Sequence, residues 1–366
     1  MKINIAYIIP SLDIGGSEQK VIDLASGLNR DKFNPIIITI TKKGKLASVL
    51  EANGIFVYCV NKRSKFDFFV VMRIAKILKQ NNVDIVHVYT STGKLWGRLA
   101  AKTAKTKVII SSEESLFRNK FLDRFLERRL INKTDLIITN SEGTLFSAAK
   151  ATKIDLSKYR CIHNGINLEP YINSKSFGII PKQKDEQIIM CVARLDPRKR
   201  IDLLIKAFSI LKQEAKLKLV IVGSGSEDVK LKKYAKDLHL ENEVIFLGSR
   251  SDVPSLLKEA DVFVLPSDEE GFGNVIIEAM AAKVCVVASF VGGIPEIICH
   301  ETNGLMFAKG DLNQLIEELR KVLNDKELRL KLVTNAFTNV SYFSKERMVN
   351  EHEEVYIEVI EGKEKL

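Results

Sequence analysis

The chain has 366 residues, enough for about two domains. With 46% hydrophobic and 28% charged residues, it is not a globally disordered sequence. No run approaches the roughly 18 consecutive apolar residues of a membrane span. The opening stretch, Ile3 to Ile9, is too short and lacks a small-residue cleavage site, so it does not read as a signal peptide. Five cysteines (Cys59, Cys161, Cys191, Cys285, Cys299) are odd in number and scattered, as reduced thiols are. A cytoplasmic protein is expected.

The net charge of +10 is unevenly placed. Residues 1–172 hold 28 Lys and Arg against 15 Asp and Glu, whereas residues 173–366 hold 28 against 31. The first part is thus +13 and the second −3. Such a basic half suits a partner rich in negative charge: nucleic acid, an anionic membrane face or a phosphorylated substrate.

Apolar runs rich in Ile and Val alternate with helix-period segments. In the first half, strands are expected at Ile3–Ile9, Pro35–Thr41, Ile55–Val60, Asp84–Tyr89, Lys107–Ser111, Asp135–Thr139 and Tyr159–Ile162. Between the first two, Val21, Leu24, Ala25 and Leu28 mark one face of a helix. The stretch Pro170–Pro181 reads as a linker, with two prolines, a glycine, serines and asparagines. The pattern then restarts, with strands at Gln187–Ala193, Leu217–Gly223, Glu243–Leu247, Asp261–Leu265 and Val284–Ala288, and a charged helical tail near Lys345–Gly362. The expected fold is α/β: two doubly wound, Rossmann-like domains facing across a cleft. In such sheets ligands bind beyond the carboxyl ends of the strands.

Three loops at such ends carry candidate chemistry. Gly15 and Gly16 lead into a helix at Ser17, where free backbone N–H groups suit an anion; a plain tight turn is the alternative. Gly223 and Gly225 form a similar turn without the third glycine of a dinucleotide fingerprint, so a nicotinamide cofactor is not expected. In Ala193–Arg200, Arg194 and Lys199 suit a diphosphate, although solvated charge would give the same pattern. In Leu265–Met280, Glu270 lies in a loop and Glu278 one turn into a helix, among apolar Ile276, Ile277, Ala279 and Met280. A buried carboxylate there needs donors, from sugar hydroxyls or from the protein. Asp268-Glu269-Glu270 could be mistaken for a metal cluster, but no histidine or further carboxylate run accompanies it.

Taken together, these loops resemble the retaining family 4 glycosyltransferases of the GT-B fold, from Ile3 to about Phe343. The motifs are Gly15-Gly16-x-Glu18, Asn164-Gly165-Ile166-Asn167, Ala193-Arg194-Leu195 with Lys199, Leu219–Gly225, Glu270 and Glu278 as E-x7-E, and Gly292-Gly293-Ile294-Pro295-Glu296. The resemblance implies an acceptor-side domain over 1–171, a nucleotide-sugar domain over 172–344, and a helix over 345–366 crossing back to the first. It implies a nucleotide-diphosphate sugar as donor, a UDP-sugar in the commoner case, and no cofactor or metal. Arg194 and Lys199 would grip the diphosphate, Glu270 the sugar hydroxyls and Glu278 the ribose. Phe272, Gly273 and Asn274 would touch sugar and phosphate. Gly15 and Gly16 would meet the phosphate, and Gly223 and Arg250 would flank the base.

The chain departs from the family pattern in places. Where a donor-contacting histidine often follows the fifth strand, it has Ser111-Ser112-Glu113-Glu114-Ser115, which leaves Glu113 as an acceptor or donor contact. Transferases that extend lipid-linked oligosaccharides share that departure. His87 is either a site residue or a satisfied structural histidine. Lys283-Val284-Cys285-Val286 replaces G-x-P-V, and Asn167 replaces an aspartate.

The basic excess includes Phe117–Lys133, a helix-period segment with an apolar face and Arg124, Arg128 and Arg129 on the other. It suits an anionic membrane or an acceptor pyrophosphate, or an ordinary packed helix with a solvated face. The expectation is a glycan acceptor carried on a lipid, with peripheral membrane contact and no nucleic-acid partner. A nucleotide-sugar epimerase of the same fold and a non-enzymatic basic binding protein are the alternatives.

Overall fold

The computed structural model describes residues 2–13, 15–64, 67–116 and 129–364. They divide into two compact units, 1–165 with 345–366, and 166–344. The division falls between Gly165 and Ile166 rather than at the expected 171/172.

The first unit holds a seven-stranded parallel sheet of β1 (Ile3–Ile9), β2 (Phe33–Thr39), β3 (Val57–Cys59), β4 (Ile85–Val88), β5 (Val108–Glu113), β6 (Leu136–Thr139) and β7 (Tyr159–Cys161). Their order in the sheet is β3-β2-β1-β4-β5-β6-β7. Central strands are buried along nearly their whole length, Ile5 through Ile9 being inaccessible. Helices on both faces cause this, and it is why these strands read as unbroken apolar runs. The register Ile3↔Phe33 to Ile9↔Thr39 fixes β1 against β2.

The second unit repeats the design with β8 (Gln187–Val192), β9 (Leu217–Val222), β10 (Val244–Gly248), β11 (Val262–Leu265), β12 (Cys285–Ser289) and β13 (Leu305–Phe307). The sheet order is β10-β9-β8-β11-β12-β13. Two of its helices start on aspartate caps: Asp311 accepts from Asn313 N and Gln314 N to start Leu312–Asn324, and Asp325 accepts from Leu328 N to start Lys326–Asn339. Lys283 takes φ +63, a region glycine favours, which explains the family's glycine at this place. Its ammonium lies 4.4 Å from the centre of the Phe337 ring.

One expectation changes. Residues 170–181 are not a free linker but part of the second unit. Glu259 accepts from Ile179 N and Ile180 N, Ser174 Oγ donates to Pro254 O, and Ile180 is buried. The last helix, Lys345–Glu364, belongs to the first unit and buries Met348, Val349, His352, Val355 and Tyr356.

Candidate functional site

In the second sheet the strand order turns back between β8 and β11, the place where doubly wound sheets bind ligands. The loops leaving these strands, 193–200 and 266–273, carry Arg194, Lys199 and Glu270. A short turn, Pro197–Lys199, ends the first loop, capped by Asp196, which accepts from Arg198 N at 3.1 Å. Proline at the first position of this turn has no N–H to satisfy. Arg200 follows at φ +47 and turns the chain into helix Ile201–Leu211. That turn puts Lys199 opposite Glu270.

Lys199 Nζ and Glu270 Oε1 form an ion pair with both side chains largely buried. Ser267 Oγ donates to the same carboxylate oxygen at 2.7 Å. Asp268 N donates to Arg198 O at 2.7 Å, tying the two loops together through their backbones. Arg200 Nη1 lies 3.4 Å from Asp268, so the acidic run 268–270 already faces two cations. The Asp196 carboxylate binds Arg194 at 2.8 Å and Arg198 at 2.9 Å. Burial alone would raise its pKa, but the Arg198 and Arg194 guanidinium groups outweigh it and hold the carboxyl below its usual range. Arg194 itself is two-thirds exposed at 66%.

Gly292 passes close behind Glu270. It takes φ +54, and a Cβ there would fall 1.7 Å from Glu270 O. Only glycine lets the loop after β12 pass so close to the loop after β11.

Gly273 (φ +107) starts helix Asn274–Ala281, which has no side-chain cap at its N-terminus. Phe272 is buried and meets Phe343 edge-on, ring centres 5.9 Å apart, and Asn274 is partly buried. Glu278 is half-buried one turn on. Burial pushes its carboxyl up to about 7, against a hydrogen bond from Tyr171 that acts to lower it. On the other side, Gly223 (φ +134) lies so near β8 that a Cβ would sit 1.9 Å from Ala193 O. Gly223 N donates to Gly248 O at 2.8 Å, and Ser224 and Ser249 share a hydroxyl hydrogen bond of 2.7 Å. Arg250 is paired with Asp252 at 2.6 Å in the same loop.

The second unit therefore brings Arg194, Lys199, Gly223, Arg250, Glu270, Phe272, Gly273, Asn274 and Glu278 to the carboxyl ends of β8 to β11. Sequence reading missed Ser267, Asp196, Arg198 and Tyr171, which hold these side chains. The Asp-Pro pair at Asp196 and Pro197 was a legible capping signal; Tyr171 carried none.

The remaining candidates lie in the first unit. Gly15 is the N-cap of helix Gly16–Gly27 and offers no side chain to cap it, so the first N–H groups of the helix have no side-chain acceptor among the described residues. A Cβ on Gly15 would meet the Glu18 carboxylate at 2.3 Å. His87 lies inside β4, fully buried. Its Nδ1 is 2.8 Å from Tyr356 Oη and its Nε2 2.8 Å from Ser112 Oγ. Burial first, then the nearby His352 and Lys20, hold it well below the usual histidine range. It is a neutral, satisfied structural residue. Glu113, at the end of β5, is buried and paired with buried Lys94 at 2.5 Å, and Glu114 is paired with buried Lys20 at 3.0 Å. Arg129 is exposed, whereas Arg124 and Arg128 lie outside the described residues. Among the described residues, no helix is long and apolar enough to cross a membrane.

The family description of glycosyl transferases group 1 matches residues 173–338, and that of glycosyltransferase family 4 matches residues 14–170. The chain is 27% identical over 323 residues to N-acetyl-alpha-D-glucosaminyl L-malate synthase of Bacillus anthracis, covering 83% of this chain and 82% of that protein. It is 28% identical over 363 residues to a Campylobacter jejuni protein, covering 95% of this chain and 97% of that one. That protein is named N-acetylgalactosamine-N,N'-diacetylbacillosaminyl-diphospho-undecaprenol 4-alpha-N-acetylgalactosaminyltransferase. Among solved structures, Anabaena HepE in complex with UDP and glucose superposes with a TM-score of 0.87 at 22% identity, covering 97% of this chain and 100% of that one.

Proposed function

The chain belongs to the group 1, family 4 glycosyltransferases of the GT-B fold, and from this we propose that it transfers a sugar from a UDP-sugar to a lipid-linked glycan. The reaction keeps the anomeric configuration and needs no metal ion. The observation that carries this reading is the meeting of Lys199 and Glu270 where the second sheet turns back. It sets a cation for a diphosphate beside a carboxylate for sugar hydroxyls.

In the proposed reaction the bond from the anomeric carbon to the diphosphate oxygen breaks. The acceptor oxygen bonds that carbon on the same face, and its proton passes to the departing diphosphate. Lys199 and Arg194 offset the charge growing on the leaving group, Arg194 exchanging Asp196 for phosphate. Glu270 accepts from the sugar hydroxyls and Glu278 from the ribose. The cations Lys199 and Arg200 already facing the 268–270 carboxylates support metal-independent chemistry. The +13 of residues 1–172 and the diphospho-undecaprenol substrate in a relative's name support an acceptor on an anionic lipid, and hence peripheral contact with an anionic membrane face.

A soluble dicarboxylate acceptor is the second reading, because another relative is named for L-malate. One assay separates them: UDP-sugars are supplied with a diphosphoprenyl glycan, with L-malate, or with no acceptor, and the products are read by mass spectrometry and anomeric NMR. Glycan extension with retention supports the proposal. Transfer to malate supports the second reading, and an altered sugar without any acceptor identifies an epimerase.

A further inference from the structure

The first unit carries an exposed apolar surface at the start of helix Phe69–Gln80. Phe68, Phe69 and Met72 are 67%, 77% and 59% exposed. Helix Phe69–Gln80 turns Val70, Ile74, Ala75 and Leu78 inward. The helical period then sets Phe69, Met72, Lys76 and Lys79 along the outer side, all exposed. Phe68 precedes the helix and meets Trp96 edge-on, ring centres 6.0 Å apart, while Lys62 Nζ stands 5.2 Å from the centre of the same ring. The surface is thus built on the fold through Trp96.

The charge around it is of one sign. Residues 61–80 contain six basic side chains and one acidic one, Asp67. That carboxylate is taken by Arg73 at 2.6 Å. Arg63, Lys76 and Lys79 are exposed and form no ion pair with a carboxylate among the described residues. Large apolar side chains beside unpaired cations match a headgroup layer, where rings enter the acyl boundary and lysines reach phosphates. A second copy of the chain would instead bring like charge against like.

We propose that Phe68, Phe69 and Met72, flanked by Lys62, Arg63, Lys76 and Lys79, dock the first unit on an anionic bilayer. This rests on the reading of a lipid-linked acceptor and assigns the contact to residues outside the 117–133 segment.

The test uses the full chain with vesicles of phosphatidylcholine alone or with phosphatidylglycerol. It compares wild type, Phe69→Ser/Met72→Ser and Lys76→Glu/Lys79→Glu by co-sedimentation at low and high salt. Thermal melting confirms that each variant is folded. Transfer to a short-chain, water-soluble acceptor is measured in parallel. The expected result is salt-sensitive binding to phosphatidylglycerol vesicles that falls about tenfold or more in both variants, with short-chain turnover unchanged. Binding equal to wild type in both variants overturns the surface and leaves the lipid-linked reading standing. Wild type that ignores vesicles and diphosphoprenyl glycans alike overturns both. Light scattering that shows a wild-type dimer dispersed by the variants, without vesicle binding, assigns the face to a second copy and overturns the proposal.

Discussion

Lys199 and Glu270 lie 71 residues apart and close an ion pair over the loops that leave β8 and β11. The pair is built by the fold before any ligand arrives. A cap on Asp196, a left-handed Arg200, the Asp268–Arg198 backbone bond and the close pass of Gly292 all set its position.

Removing one partner separates its structural and chemical roles. Lys199→Met leaves Glu270 with Ser267 alone in a largely buried place and is expected to lower stability by about 1–3 kcal/mol. Lys199→Met/Glu270→Gln is expected to recover most of that loss. Turnover should fall on the order of 10²–10³-fold in both, as it does when a donor to developing charge is lost. Urea melts and steady-state kinetics on the same preparations read both quantities.

Glu278 gives the second unit a pH signature. Its folded pKa of about 7 lies above the ordinary 4.5. The protonated form is therefore favoured in the folded state, and its contribution is full below pH 4.5 and lost as pH rises to about 7. The slope over that interval is at most about 1.4 kcal/mol per pH unit. Glu278→Gln should remove this decline in a series of melts from pH 5 to 8. If ribose hydroxyls bind the ionised carboxylate, UDP affinity rises over the same interval in wild type and stays level in the variant, as calorimetry would show.

His87 and His352 act in the opposite direction. Burial is the main cause for both, and His352 is lowered to about 3. Groups held neutral in the folded state contribute stability above pH 6.5 that is lost as pH falls below it. The slope is at most about 1.4 kcal/mol per pH unit per histidine. His352→Asn is expected to soften acid unfolding between pH 6.5 and 4 and to leave the pH profile of kcat/KM unmoved. A shift of that profile would contradict the structural role.

Gly292→Ala is a test of the loop contact. The Cβ meets Glu270 O in a region of backbone space that costs a non-glycine residue about 1 kcal/mol or more. The loop must give way, so kcat should drop about tenfold or more. Gly178→Ala, also at positive φ but with nothing within 4 Å of a Cβ, is expected to cost stability without that loss of rate.

The strands were readable in the sequence because both faces of each parallel sheet are covered. Twelve expected runs contain strands, with ends shifted by a residue or two. β13 was not readable: Leu305–Phe307 is three residues long and carries no period. The stretch after Tyr171 was misread because proline and glycine announce turns, whereas Glu259, some 80 residues away, decides that the chain packs. The site loops were readable as motifs, but their geometry was not. Nothing near His87 in sequence shows Tyr356, 269 residues on, and nothing near Glu278 shows Tyr171. Long-range partners decide which charged side chain faces ligand and which holds the fold.

Helix Lys345–Glu364 completes the unit that contains β1 to β7, and this bears on synthesis and on truncation. Residues 166–344 are contiguous and can close their core while the chain is still emerging from the ribosome. The first sheet, although translated earlier, lacks Tyr356 and His352 until helix Lys345–Glu364 has been made. A nonsense codon near residue 344 would therefore spare the later-made unit and injure the one made first.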